Sequence, residues 1–223
     1  MNLYFVIIGA IYALLILCYF ITETGKSRMM RAVNKTALSS MYLSNFVICF
    51  FMSGIQFDNS VALCLPAFLF CFLADIVLIF DFVKGAIVFS VGNICFTAYS
   101  VMLIAGHGLT FRDVWWCVIV FVAIFGGFFV AVKHFRMDYS KYGIKMPLYL
   151  FVVTLHGSLG TAMAVLCDDL ASELFGLGLV MFMISDYLLV IYKIHSKRKL
   201  LLRTNSGMYF VGIMLASMSF WLI

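Results

Sequence analysis

Apolar residues run through this chain in long blocks broken by short polar interruptions, and each block is roughly 18 to 22 residues long. A helix rising about 1.5 Å per residue needs about 20 residues to cross about 30 Å of hydrocarbon, so each block is long enough to span a bilayer. Eight blocks occur, at residues 3–21, 35–54, 61–80, 85–105, 114–132, 145–166, 173–194 and 206–223. They predict an all-α membrane protein with eight transmembrane helices. The first block has neither a basic n-region nor a small-residue cleavage site, which reads as a retained span. Connections are short and none resembles a linker, so residues 1–223 are expected to form a single polytopic transmembrane domain.

Polar positions inside the blocks sort inner from outer helices. In the fourth block Ser90, Asn93, Thr97 and Ser100 recur at helical spacing, and in the sixth Lys145, Tyr149 and His156 share a stripe. In the second, Thr36, Ser40 and Ser44 predict the inward face. For single Ser and Thr residues, close helix packing and local hydrogen bonding account for the pattern without any chemistry. The first and fifth blocks have almost no polar side chain at depth and should face lipid. Paired segments, KTALSS from Lys35 with KMPLYL from Lys145 and LADIVL from Leu73 with ISDYLL from Ile184, hint at two parallel four-helix halves.

Composition agrees, with 65% hydrophobic and 11% charged residues. Charge adds an orientation. Of 15 Lys and Arg residues only Arg112 falls on one side, while Lys26, Arg28, Arg31, Lys35, Lys84, Lys133, Arg136, Lys141, Lys145, Lys193, Lys197, Arg198, Lys199 and Arg203 fall on the other. Basic residues stay cytoplasmic, so both termini are expected on the non-cytoplasmic side. Trp115, Trp116 and Trp221 fall near the outer ends of spans, where interfacial aromatics belong. The net charge of +5 therefore anchors the chain, and no nucleic-acid partner is expected. Seven scattered cysteines contain no Cys-x-x-Cys pair, and the four histidines do not converge, so neither a metal nor a cofactor is expected.

Two carboxylates stand inside the apolar blocks. Asp75 lies six residues before Asp81, and Asp186 seven before Lys193, placing both at a similar depth of roughly 10 Å from the cytoplasmic ends of their helices. Such a residue costs about 2.5 to 3.5 kcal/mol on insertion scales, and an intramembrane acid is read first as a functional site. One structural hydrogen bond apiece would also account for them. If they face each other across a cavity, desolvation and like charge would hold one protonated beside an ionised partner, an acid and a base side by side.

The order Lys35, Asp75 with Leu78, DFVKG and VFSVGN (Asp81 to Asn93), Tyr149, LFGLGLVMFMISD ending at Asp186, and Tyr209 resembles the YhhN family of lysoplasmalogenases. The resemblance covers nearly the whole chain, and its most specific part is FMISD, Phe182 to Asp186, paired with Asp75. It implies an eight-span bundle that hydrolyses the vinyl ether of lysoplasmalogens, with Asp75 and Asp186 as catalytic residues and a lysophospholipid as substrate partner amid membrane lipids. Lys35, Asn93, Tyr149 and Ser185 are the accompanying substrate-binding candidates. The chain departs from the family's pattern at Thr36, Ala74 and Asn93, where the family commonly has Pro, Gly and His, and lacks a Gln in the last span.

The chemistry suits two carboxyls without a metal: an acid protonates the vinyl carbon, and a carboxylate stabilises the resulting cation and activates water. Which aspartate does which stays open. Lys35, Lys145 and Lys193 are candidates for a lipid phosphate, although cytoplasmic anchoring explains them more simply. A proton-coupled transporter of small solutes or a non-catalytic lipid-binding relative would use the same features. The expected location is integral and multi-pass, in a bacterial inner membrane or an internal eukaryotic one.

Overall fold

The computed structural model describes residues 2–23, 27–52 and 61–222; Lys26, Gly54, Ile223 and the side chains of Leu3 and Arg28, on which parts of the reading above fall, lie outside it. The described residues form helices joined by short turns and connections, with no strand. The helices are α1 (Asn2–Glu23), α2 (Arg28–Met52), α3 (Val61–Phe80), α4 (Phe82–Gly106), the four-residue α5 (Phe111–Val114) leading into α6 (Trp116–His134), α7 (Lys145–Leu166), α8 (Leu170–Ile194) and α9 (Lys199–Met218). Eight long helices thus follow the eight apolar blocks in order.

Bounds of α3 and α7 agree with the sequence pattern, whereas α2 and α9 start at Arg28 and Lys199 instead of Lys35 and Ser206. Apolarity marks where a helix meets hydrocarbon, not where its backbone hydrogen bonding begins, so each helix gains a polar leading segment. Five segments are long and apolar enough to cross a membrane: α3, α4, Phe111–His134, α7 and α8. The apolar stretch of α1, Val6–Thr22, is shorter.

Helices α2, α3, α4, α7, α8 and α9 form a ring in which each packs on the next, α9 closing back on α2. α1 lies outside against α2 and α9, and α6 outside against α7. The two blocks without polar side chains are therefore peripheral, as expected. Neighbours also correspond between halves: α1 on α2 matches α6 on α7, α2 on α3 matches α7 on α8, α3 on α4 matches α8 on α9, and α4 on α7 matches α9 on α2. Large apolar side chains such as Val6, Leu14, Ile21, Phe80, Val122 and Val130 stand exposed over the outer surface. A patch of that extent marks a lipid or partner surface.

One expected stripe is displaced. In α2 the buried face carries Leu38, Ser39, Tyr42, Asn45 and Phe46, while Ser44 is exposed and Thr36 and Ser40 are only half-buried. Tyr42 decides the rotation: its phenol reaches the polar centre while its ring packs 6.2 Å from that of Phe68. An amphipathic aromatic supplies both kinds of contact at once, which a stripe of hydroxyls does not.

Toward the end of the ring away from the basic connections the interior is filled by aromatics. Phe46 and Phe68 have ring centroids 4.7 Å apart, Phe68 and Phe96 5.0 Å, Phe46 and Phe220 4.9 Å, and Tyr99 and Phe175 5.0 Å. Offset and edge-on contacts of this kind pack densely and leave little void. On the other side of the polar centre, α3 and α4 are joined by Asp81 alone, which caps α4 by accepting from the amides of Val83 (2.9 Å) and Lys84 (3.1 Å). Close approach fixes α8: a Cβ on Gly212 would come 2.6 Å from the Gly178 carbonyl oxygen, and one on Gly160 would come 2.8 Å from that of Gly176. Backbones meet there as small-residue crossings of membrane helices do.

Candidate active site

Lys35, Ser39 and Tyr42 lie at i, i+4 and i+7 on α2, so one helix face presents an ammonium, a hydroxyl and a phenol in succession. All three meet Asp75. The Lys35 Nζ is 3.0 Å from Asp75 Oδ1; Ser39 Oγ donates to Oδ2 at 2.7 Å, Tyr42 at 3.2 Å, and Tyr209 from α9 at 2.8 Å. The Ser39 hydroxyl also lies 2.9 Å from the Lys35 carbonyl, so its single proton serves one acceptor at a time. Lys35 meets Oδ1 by distance but off hydrogen-bonding angle, and Oδ1 has no hydrogen-bond partner among the described residues. Asp75 is 1% exposed. A cation and three hydroxyl donors thus surround this buried carboxyl group.

Asp186 enters from α8 with different company. It is 3% exposed, the Tyr149 phenol of α7 stands against it, and its Oδ2 has no hydrogen-bond partner among the described residues. Asp75 and Asp186 both line one cavity of about 30 Å³, together with Lys35, Phe89, Asn205 and Tyr209. Such a volume accommodates a water or two. Each acid therefore has one carboxyl oxygen with no hydrogen-bond partner among the described residues, that of Asp75 being paired by charge with Lys35.

Two larger spaces flank the pair. A vestibule of about 240 Å³ at the basic end is lined by Arg31, Lys35, Tyr192, Lys193, Asn205 and Ser206 among others, and shares Lys35, Leu78, Leu189, Asn205 and Ser206 with the small cavity. The small cavity is thus its deep end. An apolar groove of about 310 Å³ runs between α4 and α7, lined by Phe82, Ala86, Ile87, Ile94, Leu148 and Tyr149, with Lys145 also on its wall. Tyr149 belongs to that groove and reaches Asp186, and Phe82 belongs to both the groove and the vestibule.

The structure brings Asp75, Asp186, Lys35 and Tyr149 together. Asn93 and Ser185 are fully buried but line none of these spaces: Ser185 Oγ donates to the Phe182 carbonyl at 2.6 Å, and the Asn93 amide has no partner among the described residues. Ser90 and Thr97 bond back to the carbonyls of Ala86 and Asn93 on their own helix. His156 lies between the rings of Phe96 and Phe182, 5.8 and 5.3 Å away.

Sequence reasoning passed over Ser39, Tyr42, Asn205 and Arg31. The signal for the first two is their spacing from Lys35; for Asn205 it is the extra helical turns of α9, visible only once α9 is seen to begin at Lys199. With its amide oriented to satisfy both groups, Asn205 donates to the Ser185 carbonyl at 2.7 Å and accepts from the Ser206 amide at 3.3 Å, tying α9 to α8 beside Asp186. Among the described residues no group of three or more His, Cys, Asp or Glu converges as metal ligands would.

Two buried carboxyls in unlike surroundings share one small cavity, the arrangement that acid and base chemistry by a pair of side chains requires. No curated protein and no solved structure matches the chain. The sequence model of the YhhN family matches residues 36–220, most of the chain and every element of the ring, and the protein belongs to that family.

Proposed function

We propose that this protein is a membrane-embedded hydrolase that cleaves the vinyl ether of a lysoplasmalogen, with Asp75 and Asp186 as its acid and base pair. The YhhN family includes lysoplasmalogenases. The observation that carries the reading is that both aspartates line a single cavity, each with one oxygen free of protein hydrogen bonds.

Their partners divide the labour. Asp75, with Lys35 and three hydroxyls around it, serves as the carboxylate, and Asp186, with a single phenol against it, carries the proton. Asp186 gives its proton to the outer vinyl carbon, and the positive charge left on the carbon attached to oxygen is stabilised by Asp75. Water adds to that carbon and its proton passes to a carboxylate. The hemiacetal then collapses to a fatty aldehyde and the glycerol hydroxyl. One water is consumed and no electrons are exchanged. Tyr149, between Asp186 and the groove, positions the acid; the alkenyl chain lies in the groove.

Eight membrane spans follow in this reading, α2 and α9 being less apolar because they supply the polar inner wall, and both termini lie on the non-cytoplasmic side. Aldehyde release from a lysoplasmalogen by the purified protein is the test. Asp75→Asn and Asp186→Asn should each lower turnover by about 10²- to 10⁴-fold, the usual worth of a positioned acid or base. Turnover that survives either substitution overturns the pair. Solute uptake into proteoliposomes with no aldehyde would replace the enzyme with a transporter.

A further inference from the structure

Three cations converge on the vestibule, Arg31 and Lys35 from α2 and Lys193 from α8, and no carboxylate lines it short of the two aspartates in the small cavity at its deep end. Lys35 is already engaged deeper by Asp75. The other two form no ion pair among the described residues, and the Arg31 Nε is shut away from solvent without a hydrogen-bond partner. The Lys193 ammonium stands 5.1 Å from the centroid of the Phe82 ring. Membrane anchoring accounts for cations such as Lys84, Lys133 and Lys141, which point outward into solvent. It does not account for a guanidinium and an ammonium turned onto one cavity against their mutual repulsion. Such an arrangement matches an anion with several acceptor oxygens, and Arg in particular matches a phosphate.

We propose that the vestibule is a phosphate subsite, with Arg31 and Lys193 as its binding residues. The inference rests on the lipid-hydrolase reading for the identity of the larger molecule. The order of the spaces is that of a lysolipid: phosphate in the vestibule, the glycerol ether where the vestibule narrows toward the aspartates, and hydrocarbon in the groove behind Phe82 and Tyr149. The phosphate would thereby fix the depth at which the ether bond meets the acids, selecting substrates by the length of the glycerol between them.

The probe is 1-O-hexadecyl-glycero-3-phosphocholine, a saturated ether that the proposed chemistry does not cleave, bound to the full-length protein in neutral detergent. Its phosphate-free counterpart, 1-O-hexadecyl-glycerol, is measured alongside. The phosphate-bearing ether should bind at least about tenfold more tightly, as expected for charge-assisted hydrogen bonds. Arg31→Gln and Lys193→Gln should each remove most of that ratio and leave the alkylglycerol's affinity unchanged, while Lys84→Gln, at the same end of the bundle but exposed, should preserve it. A wild-type ratio near one overturns the subsite, a result that needs no variant to fold; so does a ratio that both vestibule substitutions leave intact or that Lys84→Gln lowers equally. If inorganic phosphate abolishes the preference, the subsite accepts free phosphate as well; if only glycerophosphocholine does, it reads a headgroup. Because the probe is inert, phosphate preference without aldehyde release from lysoplasmalogen sinks the hydrolase and keeps the subsite. Aldehyde release without preference does the reverse.

Discussion

Asp75 Oδ2 accepts from three hydroxyls, and Tyr209 supplies one of the shorter bonds, 2.8 Å, from a helix far away in sequence. Tyr209 and Tyr42 also approach each other, at 3.5 Å between hydroxyls, so neither phenol acts alone. A hydrogen bond to a charged group contributes about 1.5 to 3 kcal/mol, so Tyr209→Phe should reduce aldehyde release by about 10- to 100-fold while leaving the ring's packing against Phe89 and Phe182 in place. Unchanged turnover would show that Tyr42 and Ser39 suffice. The aspartates were legible in the sequence because a carboxylate in an apolar block is conspicuous on its own. Tyr209 entered only through the family resemblance, and Ser39 and Tyr42 not at all, because a phenol or a hydroxyl in a helix counts as ordinary packing until the fold shows where it ends. Ser185 and Asn93 illustrate the converse: both sit beside or near conspicuous residues, yet each is turned into helix packing.

Among the elements, α8 is the one that everything leans on. It packs against α7 and α9 through glycines, carries Asp186, and begins at Asp169, which caps it by accepting from the Ser172 amide at 2.8 Å. The same Asp169 holds His107 at the end of α4, 2.7 Å from Nε2, tying together the ends of the two helices that flank α7 in the ring, away from the active site. His107 is raised above its ordinary value by the Leu103 carbonyl first and then, against an opposing effect of burial, by Asp169. Burial pushes Asp169 upward, but the Ser172 amide and hydroxyl and His107 outweigh it and leave it below the usual carboxylate range. The signs give a window. His107 contributes fully below its unfolded value of about 6.5 and loses its contribution as pH rises through the higher folded value; Asp169 contributes above its unfolded value of about 3.9 and loses it only in stronger acid. Asp169→Asn keeps a competent cap and removes the charge. Its deficit in melting temperature against wild type should therefore be present near pH 5.5 and shrink by pH 9. A deficit that is the same at both would assign it to capping alone. Helix number and order were legible because hydrocarbon thickness imposes a length on each block. The leading turns of α2 and α9 were not, since they lie past the apolar residues that make a span visible.

At the scale of the whole molecule, the small cavity at the polar centre opens toward one end of the bundle. Aromatic rings from Phe46, Phe68, Phe96, Phe175 and Phe220 fill the ring's interior on one side of the aspartates, while on the other side the small cavity widens into the vestibule. The ends of α1, α3 and α8 and the beginnings of α2, α4 and α9 all contribute to that vestibule, so the alternation of up and down helices puts the basic connections at one face. Under the proposed topology that face is cytoplasmic, and headgroups would enter from the cytoplasmic leaflet. Exposed positions at opposite ends test it directly. In a background with native cysteines replaced, Lys141→Cys, in the connection between α6 and α7, should resist a membrane-impermeant maleimide in right-side-out vesicles and react once they are permeabilised. Asp168→Cys, in the connection between α7 and α8, should react from outside without permeabilisation. Reversed labelling would move the vestibule, and with it the supply of substrate, to the other leaflet; labelling of both from the same side would remove α7 as a span and break the ring's alternation. The positive-inside bias makes the first outcome the expected one, because 14 of the chain's 15 cations would otherwise have to be translocated.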